Sequence, residues 1–161
     1  LPMQRFNVRV YFFLMAGTGE ATSLAPGDQI LVSDELIAGR RCTKWPGGGL
    51  EFGEGPKDCA RREAVEELGQ PIELGDLVHA TGSCVRSAWR PTEQVLCHYY
   101  LARLQDAPAF RVAQKPFDFQ GSSNQSFRWE TASDFDPESL SFATDREAWK
   151  ALTAHWGRHA G

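Results

Sequence analysis

The sequence predicts a single α/β domain spanning residues 1–161. Three observations lead there. Extended apolar runs recur before and after one well-bounded, carboxylate-rich helix. A second amphipathic helix closes the chain. The length suits one ordinary domain with one core, and no repeat period or low-complexity tract breaks it.

Taken in order, Phe6 to Leu14 alternates, with Phe6, Val8, Val10 and Phe12 on one face and Asn7, Arg9, Tyr11 and Phe13 on the other. Both faces are largely apolar, so the strand is expected to be covered on both sides. Arg9 is then a charge among apolar positions, where it needs a partner or a site to face. Gly17 to Asp28 is turn chemistry, and Gln29 to Ser33 resumes as a strand, giving a hairpin. Lys44 and Trp45 close a short strand before Pro46. Gly47, Gly48 and Gly49 then free the backbone to turn, and Leu50 to Phe52 forms a short extended piece.

Pro56 suits the first turn of a helix and Gly69 its end, which bounds Lys57 to Leu68. Ile72 to Arg86 and Glu93 to Leu104 form an antiparallel pair separated by a loop that carries Trp89 and Pro91. His98, in the second of these, reads as a hydrogen-bonded sheet histidine. The segment Gln105 to Ser126 has the length of a lid or mobile loop. Phe127 to Thr131 returns as a strand, and Thr144 to Trp156 is a helix whose Ala148, Leu152 and Trp156 mark its buried side.

Charge and cysteine content narrow the function. Seventeen Lys and Arg against twenty-one Asp and Glu leave a net charge of −4, which argues against a nucleic-acid polymer as partner but not against a small nucleotide held through metal. Four scattered cysteines and no signal-peptide or membrane-spanning pattern give free thiols, a cytoplasmic address and no membrane partner as expectations.

The chemistry sits between Trp45 and Gln70. Glu63, Glu66 and Glu67 stand at i, i+3 and i+4, on one helical face, while Ala60, Ala64, Val65 and Leu68 point largely the other way. Like charges so spaced repel, and Arg62 alone does not neutralise them together with Glu54. A hard divalent cation with oxygen ligands, Mg2+ or in its place Mn2+, is the natural partner. Taken alone, such a helix also reads as a solvated face.

The spacing decides between them. Gly48, five residues, Glu54, seven residues, Arg62-Glu63, Ala64, one residue, Glu66-Glu67, one residue and Gly69 closely resembles the signature of the Nudix hydrolases. Alanine at 64 and Gln70 after the last glycine depart from the bulky aliphatics preferred there. Both departures concern packing rather than metal binding.

That resemblance implies an α/β/α sandwich around a mixed sheet and an enzyme that splits a pyrophosphate bond in a nucleoside diphosphate linked to another group. In such enzymes metal neutralises phosphate charge and makes hydroxide available. Carried onto this chain, Glu63, Glu66 and Glu67 would hold metal, with a backbone carbonyl from Gly47 or Gly48. Glu63 would also be a candidate base, with Glu93, Asp118 and Glu130 as alternatives. Arg62 would orient the carboxylates and Glu54 would support the loop. Candidate substrate contacts are Arg9, Trp45, Gly48, Gly49 and Trp89, with Phe52, Arg86 and Trp129 behind them; Trp89 serves equally as a homodimer contact. The proline that marks ADP-ribose hydrolases is replaced by Cys84, and the tyrosine of dinucleoside polyphosphate hydrolases by Arg86, so the nucleotide is not named. The alternative is a non-catalytic Nudix-like module that senses a nucleotide or sugar phosphate. Loss of signature carboxylates would favour it, and none is lost.

Overall fold

A computed structural model describes residues 3–154 and Trp156. Its centre is β1 (Arg5–Thr18), four residues longer than the alternation predicts at its C-terminal end. The strand is buried from Val10 to Met15, and its two faces feed two cores. Tyr11, Phe13 and Met15 enter one and Val10, Phe12 and Leu14 the other, as the alternation requires.

Around β1 lies one mixed seven-stranded sheet. Strands β2 (Gln29–Ile37), β3 (Arg40–Lys44), β4 (Gly47–Gly49), β5 (Ile72–Ala80), β6 (Glu93–Leu104) and β7 (Gln125–Thr131) complete it. The main order is β3-β2-β1-β6-β5, with β4 beside β1 and β7 beside β2. The β1–β6 pair is parallel and the others are antiparallel. Helix α1 (Pro56–Leu68) covers one face through Cys59, Ala60, Ala64 and Leu68. On the other face, α2 (Ala143–Thr153) packs Ala148, Trp149 and Leu152 against Phe13, Trp45 and Tyr99. The expected helix, sheet, helix layering follows from these two stripes. No helix among the described residues is long and apolar enough to cross a membrane.

Several local expectations need correction. Gly47–Gly49 is not a turn but β4, in register with Arg9 to Tyr11, and Leu50 to Phe52 is irregular. Pairing with β1 overrides glycine's weak strand propensity because the missing side chains admit close neighbours on both sides. Residues 81–92 leave the sheet, joined to β6 by an Arg86 to Gln94 bridge. Val65 is exposed rather than packed. His98 is not hydrogen-bonded through Nδ1, which is buried without a partner among the described residues.

The loop before β7 is fastened rather than free. The Gln70 side chain donates to Ala107 O (2.9 Å) and accepts from Ala109 N (2.6 Å). Farther on, Phe110 packs on Phe127 and Trp129, and Arg111 pairs with Asp118 at 2.7 Å. Gln70, where the signature prefers an aliphatic, thus uses its amide to hold this loop. All four cysteines are free, as expected, with Cys84 exposed and the others buried.

Candidate active site

The carboxylates of α1 are placed by the glycines of β4. Gly47 has φ +143°, a conformation suited to glycine, and a Cβ there would stand 2.7 Å from Tyr11 Cα. At Gly48 the space a side chain would fill is taken by the Glu63 carboxylate. One turn on, Glu67 accepts from Gly47 N (3.1 Å) through Oε2 and from Gln125 Nε2 (3.1 Å) through Oε1. Burial, opposed chiefly by Lys44, pushes the Glu67 carboxyl up to about 7, and burial also raises Glu63.

Arg62 ties the helix to the preceding loop. Its Nε and Nη2 form a fork on Glu54 at 3.0 and 2.7 Å, and Nη2 also donates to Gly49 O at 2.9 Å. Nη1 reaches Glu63 at 3.1 Å and Glu66 at 3.2 Å. The fork holds the Glu54 carboxyl down at about 2. Cys59 points at the same turn, 3.5 Å from Gly49 O, and burial lifts its thiol to about 12, leaving it a packed thiol rather than a nucleophile.

Among the described residues no three acidic, His or Cys side chains converge on one metal-sized point. Glu63 and Glu67 turn inward to β4, whereas Glu66 lies 56% exposed against Arg62. The shared helical face of the sequence reading is therefore split by the arginine. An all-oxygen donor set with one exposed member still suits a hard cation, since Glu66 needs only to leave an exposed ion pair with Arg62.

The other predicted residues separate cleanly. Trp45 is wholly buried, stacked on Trp149 and donating through Nε1 to Asp145 O (3.2 Å), so it offers no face to a ligand; its expected substrate contact is corrected to core packing. Phe52 is fully exposed, and Trp129 packs beside the α1-side core. Of the alternative bases, Glu93 is paired with Arg5 and Arg90, Asp118 with Arg111, and Glu130 with Arg128.

Arg9 and Trp89 both line a cavity of about 260 Å3 next to β4. Arg9 Nε donates to Tyr11 Oη at 2.6 Å, and its Nη1 approaches Gly49. Trp89 lies under the Arg40 guanidinium, 5.3 Å from its centre. Lys44, absent from the sequence candidates, also lines this cavity although it is 3% exposed, and its ammonium meets Glu35 at 3.1 Å. A chain of contacts joins cavity and carboxylates: Lys44 to Glu35, Ser33 to Glu35 (2.9 Å), Gln125 to Ser33 (3.0 Å), and Gln125 to Glu67. A lone lysine just before Trp-Pro-Gly-Gly was the available signal for Lys44. Nothing local marks Gln125, 58 positions from its glutamate.

The NUDIX domain family model matches residues 21–152. Solved structures with the same fold include a NUDIX hydrolase from Nitrosomonas europaea, 16% identical over 92% of this chain and 88% of that one, with a TM-score of 0.64. A MutT NUDIX hydrolase from Burkholderia pseudomallei is 20% identical over 91% and 98%, with a TM-score of 0.62. A C. elegans Ap4A hydrolase in a binary complex is 13% identical over 94% and 98%, also at 0.62.

Proposed function

We infer the function from one premise: the chain belongs to the Nudix family and is a hydrolase acting on phosphoric anhydride bonds. On that premise it is a Mg2+-dependent pyrophosphohydrolase, with Mn2+ as a substitute, that cleaves a small nucleotide derivative. The observation that carries this reading is the pair Glu63 and Glu67, held inward against Gly48 and Gly47, with Glu63 sharing Arg62 with three other glutamates and Glu67 in no ion pair among the described residues.

Glu63, Glu66 and Glu67, with the Gly47 or Gly48 carbonyl, are the residues proposed to hold the metal. When bound, the metal screens phosphate charge and supplies an acidic water. Glu63, already inclined by burial to keep a proton, is the proposed acceptor for the proton of the attacking water. Like its rivals Glu93, Asp118 and Glu130, Glu63 meets an arginine, and what separates it from them is its place against Gly48 beside Glu67 on the same helix. Arg62 and Glu54 fix the loop, and Gln125 and the Gly47 amide fix Glu67. Arg9, paired with Gly49 across β1 and β4, lines the cavity, where the part of the substrate that is not cleaved would lie against Trp89; Gly48 and Gly49 are the contacts proposed nearer the carboxylates.

The test is a panel of nucleoside triphosphates, nucleotide sugars, ADP-ribose and dinucleoside polyphosphates, with Mg2+ and products identified by mass. Turnover of at least one member is expected, with most of it lost in Glu67→Gln. No turnover across the panel would favour a sensing module instead.

A further inference from the structure

The cavity beside β4 has a wall made of hydrogen-bond donors. Lys44 brings three N–H groups and Arg9 five, and each spends few of them within the protein. The Lys44 ammonium meets Glu35, and Arg9 gives Nε to Tyr11. No ion pair to Arg9 occurs among the described residues. Tyr11 Oη accepts that bond, so its own hydrogen is left to donate.

Acceptors on the same cavity are scarce and neutral. The Asp145 carboxylate takes the Tyr99 hydroxyl (2.6 Å) and the Trp45 amide (3.4 Å), and it does not line the space. Glu93 is occupied by Arg5, Arg90 and Asn7. What remains on the side chains is the Asn7 carbonyl, the Thr144 hydroxyl, the Cys97 thiol and the Ser87 hydroxyl, whose oxygen already accepts from the Trp89 and Arg90 amides. The Trp89 ring, with Val95 and Phe142, supplies flat apolar surface. An exocyclic amino group turned to the donor wall would set N–H against N–H, whereas a carbonyl oxygen would complete it.

We propose that this cavity selects a nucleobase with an exocyclic carbonyl over the isosteric base with an amino group, reading it through Arg9, Tyr11 and Lys44. The inference rests on the pyrophosphohydrolase reading, and the experiment separates the two. kcat/KM is measured for two matched pairs, UTP against CTP and ITP against ATP, which differ in oxygen or amino at one ring carbon and, with it, in N–H or bare nitrogen at the adjacent ring position. The expected preference is about tenfold or more for UTP and for ITP, falling toward one in Lys44→Met. If that variant does not fold, the wild-type ratios decide alone. Ratios near one, or reversed, with turnover intact overturn the base preference and leave the hydrolase standing. If neither these four nor any member of the wider panel is hydrolysed, the hydrolase reading fails; whenever the four are inert, calorimetric titration with UMP and CMP decides the cavity. UMP about tenfold tighter supports the proposal; equal or absent binding overturns it.

Discussion

Gly48→Ala isolates the position of one carboxylate from the stability of the fold. Gly48 needs no left-handed backbone, so alanine costs the chain little there. Its Cβ would stand 2.5 Å from Glu63 Cδ, against an ordinary contact of about 3.5 Å, so the carboxylate must retreat by about 1 Å. Glu63 is a flexible side chain and can do so without disturbing the sheet. A displacement of that size at a reacting centre costs about a hundredfold in rate, or about 2.7 kcal/mol of transition-state stabilisation. Steady-state kinetics should show that loss mainly in kcat, with a thermal midpoint close to wild type. Gly47→Ala is the contrast. Its Cβ meets Tyr11 backbone at φ +143°, so the fold should lose about 3 kcal/mol in urea unfolding. A fully active Gly48→Ala would refute the reasoning that Glu63 must occupy that space.

Other expectations follow from single contacts. Arg62→Lys removes the fork on Glu54 while keeping the charge, and kcat should fall about tenfold or more with the circular dichroism spectrum unchanged. Gln125→Ala strips a donor from both Glu67 and Ser33, and activity at fixed Mg2+ should fall between about ten- and a hundredfold. Asp145 is buried, and burial, opposed first by the Tyr99 hydroxyl and then by Lys44, raises its carboxyl from 3.8 to about 6. A raised acid binds more protons folded than unfolded, so its contribution is full below pH 3.8 and is lost as pH rises to about 6. Relative to Asp145→Asn, wild-type stability should therefore fall by at most about 3 kcal/mol across that window in urea titrations.

The elements legible in the sequence are those set by local chemistry. Pro56 at the start and Gly69, at φ +70°, bound α1, and strict alternation sorted the faces of β1. The signature spacing located the carboxylates because one helix carries all three. Which way each points was not legible. Glu63 and Glu67 turn inward because β4 lies against them, and β4 itself arises from three glycines whose propensity favours a turn. Long-range partners were equally hidden: Gln125 reaches Glu67 through a loop anchored by Gln70, and Lys44 enters the cavity by its position at the end of β3. Trp45 and Trp89 are alike in composition and differ only in what covers them, which a sequence does not record.

The central claim is that Glu63, Glu66 and Glu67 hold a divalent metal for pyrophosphate cleavage. The most direct measurement is hydrolysis rate against Mg2+ concentration for wild type and Glu67→Gln on one shared substrate. The account predicts turnover that saturates with Mg2+, vanishes with EDTA, and drops at least about a hundredfold in the variant. Turnover that survives EDTA, or a Glu67→Gln enzyme as fast as wild type, would contradict it.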